Sequence, residues 1–449
     1  MWWFFSGGVI TSIGIIAIEK PFHQLALKSV GLLDILLDPN EGEEKIQKLQ
    51  TKIIQAISTL LVFIILCIVV FIPTWLLAEV TAQPNLFDIT APLESHWDMY
   101  LIGSVLPFVG LKFLPKKSDY SSLSQLLHRL ILNHYNLGGW MLKKQISAIE
   151  GRVQPRALLI TGLARAGTTA LTKTLAKSSS FKSLDYSNMP FLLYPRFWSK
   201  IYKPNNKENK ERAHKDGVNV GFASVEALEE YFFKQQLNDS YILPNQLITH
   251  SISDEVLDQY QKYQSSIAQS DVYLAKNNNQ MLRLNSILKN PNQEVVVLFR
   301  NPSQHAYSLL KQHQHFCDQQ SKDPFVLEYM NWLGHHEFGL GQKPFAFSET
   351  NNSYDPQQME FWVSRWIGYY EQALKFAKHE QVCFVPYELF LNQPQLVTGY
   401  ITSKLNIHDG AIQPKRFVKK ETQTPNVDEV LLEKANTLYQ ELLKFSINI

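Results

Sequence analysis

One segment constrains the fold more than any other. In it, a short apolar run is followed by a loop with a glycine near each end and then by a helical pattern. Residues 156–161 read RALLIT, residues 162–169 read GLARAGTT, and residues 170–178 read ALTKTLAKS. A strand, a loop bounded by glycines and a helix N-terminus together bind an anion, since the loop N–H groups converge and the helix dipole adds positive charge. The segment therefore predicts a site for a phosphate or a sulfate ester.

Three further short apolar runs predict the rest of a sheet. They cover residues 272–275, 294–299 and 382–386, and helical segments separate them. Continuously apolar strands joined by helices are typical of a parallel sheet that is covered on both faces. The expected fold class is therefore α/β, a P-loop-like parallel sheet flanked by helices, preceded by an N-terminal helical membrane region.

The glycine loop departs from the loop of nucleotide hydrolases at one position. The spacing from Gly162 to Gly167 matches the P-loop, which requires lysine and then serine or threonine next. Thr168 occupies the lysine position, and the loop's cation is Arg165. A membrane-bound P-loop kinase or ATPase is therefore the alternative function, and it is less well supported.

A second anion motif follows about 130 residues later. The run 294–299 ends at Arg300, and Ser308 follows at the spacing of a helix that begins near Pro302. A guanidinium and a hydroxyl on such a strand-to-helix corner can meet one phosphate. The alternative is an ordinary arginine at a strand end that pairs with a carboxylate.

Together these motifs resemble the sulfotransferases that use 3′-phosphoadenosine 5′-phosphosulfate (PAPS). Many members carry lysine where this chain has Arg165, which keeps the charge but puts proton donation in doubt. The similarity covers roughly residues 155–400 and includes the segments 186–191, 216–218, 224–230, 312–313, 334–339 and 385–388. The resemblance implies two donor-binding sets: Arg165, Ala166, Gly167, Thr168 and Thr169 for the 5′-phosphosulfate, and Arg300 and Ser308 for the 3′-phosphate.

The implied reaction is in-line attack of an acceptor hydroxyl on sulfur, with 3′,5′-ADP leaving. Catalysis of this kind consists largely of positioning and charge stabilisation. Lys276, after the run 272–275, is a further candidate for the same anion, with a solvated lysine as the alternative. PAPS-dependent transfer implies no metal, and we read the segment 335–337 (His-His-Glu) as structural or acceptor-facing.

The general base is expected among acidic residues at helical spacing. Glu226, Glu229 and Glu230 would share one side of a helix, where mutual repulsion raises carboxyl pKa values. Glu229, in a segment similar to the catalytic glutamate of glycan sulfotransferases, is preferred as the catalytic residue, ahead of Glu230 and then His214. The alternative is a solvated acidic helix face.

The N-terminal part reads as a membrane anchor. Residues 53–78 contain no charged side chain, which exceeds the roughly 20 residues that cross a bilayer as a helix. Weaker apolar runs cover residues 1–18 and 99–114. Lysines lie in 20–52 and after 115, whereas 79–98 has no lysine or arginine, which predicts two or three spans and a cytoplasmic catalytic domain. The expected domains are an anchor over 1–117, an amphipathic linker over 118–154 and a catalytic domain over 155–449.

Composition limits the remaining choices. Charged residues make up 19% of the chain, the net charge is +2, and the three cysteines lie far apart, which excludes bulk nucleic-acid binding and a disulfide framework. The expected partners are PAPS, a membrane and a hydroxyl acceptor such as a glycolipid or a lipid-linked saccharide. Two further alternatives are consistent with the sequence. One is a non-catalytic nucleotide-binding regulator. The other is a Golgi-lumenal enzyme, which the glycosylation sequons at Asn238 and Asn351 would suit.

Overall fold

The computed structural model describes residues 21, 24, 25, 28, 43–82, 122–147, 156–202, 210–211, 219–220, 228–269, 271–347, 354–407 and 426–447. The chain divides into two compact units, Met1–His134 and Tyr135–Ile449.

The first unit contains helix α1 (Glu43–Ala82) and helix α2 (Ser122–Leu132). Among the described residues, α1 is the one helix that is long and apolar enough to cross a membrane: the segment Lys48–Ile68 has a mean hydropathy of 2.2, and 11% of it is buried. Ile54 is 67% exposed and Leu61 is 54% exposed. The predicted span over 53–78 thus falls within one helix, whereas the weaker runs 1–18 and 99–114 lie outside the described residues.

The second unit is built on a parallel sheet of five strands in the order β2-β6-β1-β7-β9. The strands are β1 (Ala157–Thr161), β2 (Phe181–Lys182), β6 (Val272–Lys276), β7 (Gln293–Phe299) and β9 (Val382–Pro386). This confirms the predicted fold class and the four predicted strands. The edge strand β2 was not predicted, because a run of two residues is too short to indicate a strand.

Two small sheets accompany the main one. Strands β3 (Lys210–Glu211) and β4 (Asn219–Val220) pair antiparallel, and β5 (Leu247–Ile248) and β8 (Phe345–Ala346) pair parallel.

Twelve described helices belong to this unit. They are α3 (Tyr135–Ile146), α4 (Thr168–Leu175), α5 (Pro195–Ile201), α6 (Glu230–Leu237), α7 (Asp254–Ala268), α8 (Leu284–Ile287), α9 (Pro302–Lys322), α10 (Pro324–Trp332), α11 (Met359–Leu374), α12 (Tyr387–Asn392), α13 (Pro394–Lys404) and α14 (Glu429–Lys444).

The main core lies between one face of the sheet and helices α4, α12 and α13. Leu158, Leu274 and Leu298 from three strands pack with Leu171 of α4 and Phe390 of α12, and all five are nearly inaccessible. Full burial of such side chains contributes about 1.5–3 kcal/mol each. Because β1 lies between β6 and β7, the carboxyl ends of these three strands meet at one edge of the sheet, the usual place for a ligand site in such folds.

Candidate active site

The anion loop joins β1 to α4 and contains two glycines that the backbone requires. Gly162 has φ +149°, and a Cβ there would lie 2.5 Å from the carbonyl oxygen of Leu298. Gly167 has φ +93°, and a Cβ there would lie 2.5 Å from Cε2 of Tyr387 and closer still to Cδ2. Between them Arg165 adopts φ 71°, a left-handed conformation that costs a non-glycine residue free energy and is held here by the surrounding loop. The loop therefore has a fixed, tightly packed shape.

The second predicted motif begins at the end of β7. The Asn301 side chain accepts a hydrogen bond from the backbone N–H of Gln304 (3.2 Å), and Pro302 occupies the first turn of α9. These are strong helix-start signals. They place Ser308 in the second turn of α9, beyond the corner where Arg300 leaves the strand.

The two motifs meet in the folded chain. Arg165 Nε donates to Ser308 Oγ at 3.1 Å, although 143 residues separate them. Arg165, Ser308 and Arg300 are all partly accessible. The phosphate loop and the strand-to-helix corner thus form one surface with two guanidinium groups on it.

His305 ties α9 to the anion loop, a role that the sequence did not signal. Its Nε2 lies 2.7 Å from the carbonyl oxygen of Ala164, and the side chain is fully buried. Burial is the main cause that lowers the pKa of His305 to about 3; the hydrogen bond to Ala164 opposes this shift, and the nearby charges of Arg300 and Arg165 contribute to it. The imidazole is therefore neutral at pH 7 and donates to the loop carbonyl.

The start of α12 supports both motifs. The Tyr387 ring lies against Gly167, and the Arg300 guanidinium lies 5.1 Å from the centre of the same ring. The next residue, Glu388, accepts a hydrogen bond from the backbone N–H of Asn301 (3.0 Å). These two residues belong to the segment 385–388, for which the family resemblance implied no role.

Three aromatic side chains of α11 bind carbonyl groups at the carboxyl edge of the sheet. Trp366 Nε1 donates to the carbonyl of Arg300 (3.2 Å), Tyr370 to that of Leu298 (2.8 Å) and Tyr369 to that of Asn278 (3.0 Å). The sequence carries a usable signal for this face, because aromatic residues recur at 362, 366, 369 and 370, the spacing of one helix face.

The end of β6 leads into a turn of three asparagines. Lys276, the last residue of β6, is 8% exposed and pairs in register with Ile160 of β1. Asn278, two residues on, donates from Nδ2 to Glu337 Oε1 at 2.9 Å. Glu337 is only partly buried, so a carboxylate stands at the sheet edge beside the turn.

Glu229 is enclosed in a hydrogen-bonded cluster rather than exposed on a helix face. It precedes α6, is 2% exposed, and accepts bonds from Tyr260 (2.8 Å), Tyr273 (3.0 Å) and Gln280 (2.6 Å). Burial raises the pKa of its carboxyl group, although the three hydrogen bonds oppose that shift.

Glu230 forms a buried ion pair. Both its oxygens accept from the Arg283 guanidinium, at 2.7 and 2.8 Å, and it also bonds to Tyr241 and to Asn277 (2.7 Å). Burial alone would raise the pKa of Glu230, but the Arg283 charge and these hydrogen bonds hold it below its usual value. The alternative of a solvated acidic helix face is therefore excluded for Glu229 and Glu230. Each meets its own set of partners from distant segments.

The remaining predicted residues divide into two groups. Ala166, Thr168 and Thr169 lie in the loop and at the start of α4, with Thr168 buried and Thr169 partly accessible. His214 and Glu226 lie outside the described residues. Within the described part, no three His, Cys, Asp or Glu side chains come together as a metal site would need.

The geometry defines a class of protein: an α/β fold with a glycine-bounded loop between β1 and α4 and a second arginine at the end of the adjacent strand. The sulfotransferase domain family matches residues 155–425, more than half of the chain. The chain therefore belongs to the sulfotransferases, which use PAPS as the sulfonate donor.

Solved structures of low sequence identity align with the chain. Sulfotransferase STF9 from Mycobacterium avium is 12% identical, with 76% of this chain and 81% of that one covered and a TM-score of 0.39. A sulfotransferase from Alicyclobacillus acidocaldarius is 14% identical, with 66% and 94% covered and a TM-score of 0.32. No curated protein sequence matches the chain. The family assignment rests on the domain match.

Proposed function

We propose that the chain transfers a sulfonate group from PAPS to a hydroxyl of a glycolipid or a lipid-linked saccharide at a membrane. The observation that carries the donor site is the bond from Arg165 Nε to Ser308 Oγ, because it joins two anion motifs on one surface. Guanidinium, hydroxyl and loop N–H groups are the donors that phosphate and sulfate oxygens prefer. Residues 165–169 would hold the 5′-phosphosulfate, Arg300 and Ser308 the 3′-phosphate, and Lys276 the sulfonate end.

The residues present fit such a ligand. Gly167 has no side chain and a positive φ, so the loop backbone packs directly against the ring of Tyr387. Backbone N–H groups of such a loop at a helix N-terminus are suited to bind an anion. When bound, PAPS supplies a sulfonate on a good leaving group, 3′,5′-ADP. Arg165 stabilises the negative charge that develops on the leaving phosphate and stays protonated throughout, since a guanidinium does not titrate near pH 7.

A general base must reach the acceptor hydroxyl, and the carboxylates of Glu229, Glu230 and Glu337 differ in how accessible they are. The oxygens of Glu229 and Glu230 are buried and bonded to neighbours, whereas Glu337 is partly accessible and is oriented by Asn278. Asn278 in turn is fixed by Tyr369, which also lies 3.1 Å from Thr161 at the end of β1. We therefore place Glu337 ahead of Glu229 and Glu230 as the base. His214 stays a prediction.

A titration with 3′,5′-ADP tests the donor site. The chain in detergent should bind 3′,5′-ADP, and Arg300→Ala should lose at least tenfold in affinity, since a hydrogen bond to a charged group contributes about 1.5–3 kcal/mol. Arg156→Ala is the matched control, because Arg156 is exposed at the other end of β1. Tighter binding of ATP with magnesium, or an equal effect of the two variants, would contradict the proposal and favour the kinase-like function.

The base is tested by transfer of radiolabelled sulfonate from PAPS into a lipid extract. Glu337→Gln should lower kcat by about 10²–10⁴-fold with unchanged 3′,5′-ADP affinity. Glu229→Gln should instead lower thermal stability, because it disturbs a buried cluster. If Glu229→Gln lowers kcat by this factor in a fully folded enzyme and Glu337→Gln does not, Glu337 is not the base. An absence of any labelled lipid would reject the lipid acceptor and leave the donor site standing.

The membrane placement is supported by α1 and by the lysine distribution. We propose that α1 spans the bilayer, that the apolar run 99–114 forms a second crossing, and that the catalytic domain faces the cytoplasm. With α1 alone, the lysines of 20–52 and the catalytic domain would lie on opposite sides of the membrane. Cys317 provides a native probe, since it is partly accessible while Cys383 is buried. An impermeant maleimide should label Cys317 in permeabilised cells and not in intact ones. Equal labelling of intact cells would favour the opposite orientation.

A further inference from the structure

Helices α3 and α5 present a continuous aromatic surface to solvent. Trp140 is 53% exposed, Phe197 39% and Ile201 62%. Trp140 packs edge-on against Tyr194 with ring centroids 6.4 Å apart, and Tyr194 stacks on Phe197 at 5.4 Å. We call Trp140, Tyr194, Phe197 and Ile201 the aromatic ridge.

The ridge is held rigidly from the side of the protein interior. Trp198 stacks on Phe191 with centroids 4.6 Å apart. Gln145 of α3 accepts from the backbone N–H of Arg196 (3.3 Å) and donates to Ser266 of α7 (2.9 Å). The exposed rings therefore belong to one ordered apolar surface. Apolar side chains that are exposed singly are common in proteins, whereas a contiguous surface of this kind calls for an explanation.

Basic side chains flank the ridge, and both helices lack acidic residues. Lys143 and Lys144 follow Trp140 by three and four positions on α3, and Arg196 and Lys200 flank Phe197 on α5. All four are exposed, and none forms an ion pair with a described residue. Apolar rings bordered by lysine and arginine are complementary to the interface of a bilayer that contains anionic lipid.

We propose that the aromatic ridge and these four basic residues dock the catalytic unit on an anionic bilayer surface. This inference rests on the membrane association proposed above, though not on the reaction. The rings enter the headgroup region, and the basic side chains contact lipid phosphates while their aliphatic stems cover apolar surface. The docking would present the active-site unit to acceptors that stay in the membrane.

The test places an environment-sensitive fluorophore at Ile201→Cys in the full chain, in nanodiscs with or without phosphatidylserine. The parent variant carries Cys67→Ser and Cys317→Ser and keeps the buried Cys383. Val430→Cys is the matched control, since Val430 is a β-branched side chain, 77% exposed, on α14. A third variant with native Cys67 as the labelled site reports on α1 alone.

Nitroxide-labelled lipid should quench the Ile201 site and leave the Val430 site unquenched, with stronger quenching when phosphatidylserine is present. Lys143→Glu with Lys144→Glu should reduce the ratio of docked to undocked protein, read from the Ile201 quenching, by at least about 25-fold, since each basic residue near an anionic surface contributes about fivefold. The exposed pair Lys375→Glu and Lys378→Glu is the charge-matched control and should leave it unchanged.

Two results would contradict the proposal that the aromatic ridge docks on the bilayer. Quenching at Cys67 with none at Ile201 would keep the span and reject the ridge. Shielding of the Ile201 site from aqueous iodide without lipid quenching, increasing with protein concentration, would assign the ridge to a protein partner such as a second copy of this chain. Quenching at Ile201 with none at Cys67 would support the ridge and reject the span.

Discussion

Replacing Gly167 with alanine is expected to distort the anion loop through a single neighbour, Tyr387. An L-residue at φ +93° costs about 1–2 kcal/mol in backbone strain. The new Cβ also falls 2.5 Å from Cε2 of Tyr387, so the ring must move, and overpacking of this kind costs about 1–3 kcal/mol. Together these effects lower the free energy of unfolding by about 2–5 kcal/mol. Because Arg300 lies over the same ring, affinity for 3′,5′-ADP should fall as well.

A double-mutant cycle separates the ring clash from the backbone strain. Gly167→Ala, Tyr387→Ala and the double variant are unfolded with urea in detergent and followed by tryptophan fluorescence. Removing the ring removes the clash, so the double variant should be about 1–3 kcal/mol more stable than the sum of the two single effects predicts. Gly399→Ala is the control, because a Cβ there meets nothing within 4 Å and helix α13 favours alanine. Additivity to within about 0.5 kcal/mol would refute the contact between Gly167 and Tyr387 as the cause.

Three further outcomes follow from buried groups. Glu230→Gln, which leaves Arg283 buried without its counter-charge, should lower stability by about 3–5 kcal/mol in the same urea assay. Lys289→Ala, which removes an exposed ion pair with Asp254, should cost less than about 1 kcal/mol, and equal losses would contradict the burial of the first pair. The pKa of His305 is lowered from 6.5 to about 3, so its contribution is present above pH 6.5 and is lost as the pH falls, by about 2 kcal/mol between pH 7 and 5; His305→Gln should flatten the stability profile over that range, and an unchanged slope would show that the imidazole is not buried and neutral. Burial raises the pKa of Cys383 to about 12, so iodoacetamide should modify Cys383 only in denaturant, and rapid modification of the native chain would argue against its burial.

The sequence predicted those features whose signals are local. Strands β1, β6, β7 and β9 are continuously apolar, and the segments after β1 and β7 carry glycine, proline and arginine at positions with a direct physical meaning. The meeting of Arg165 with Ser308 was implied only by the family resemblance, in which both motifs bind one donor. That the two motifs follow adjacent strands is a finding of the structure.

The misjudged features depend on partners from distant segments. The spacing of Glu229 and Glu230 indicates a shared helix side, but a helical pattern does not reveal that Tyr260, Tyr273 and Arg283 close around them. The roles of His305, Tyr387 and Glu388 depend in the same way on which backbone groups lie opposite them in the fold.

The aromatic face of α11 has a consequence for how the active site can vary. Trp366, Tyr369 and Tyr370 each hold the carbonyl of a different segment: the corner after β7, the asparagine turn after β6 and β7 itself. One helix thereby fixes the positions of these three segments relative to one another, so that a displacement of α11 would move all three together. On the function proposed above, acceptors of different shape would be accommodated by the loops around this edge, while the segments that α11 holds keep constant dimensions.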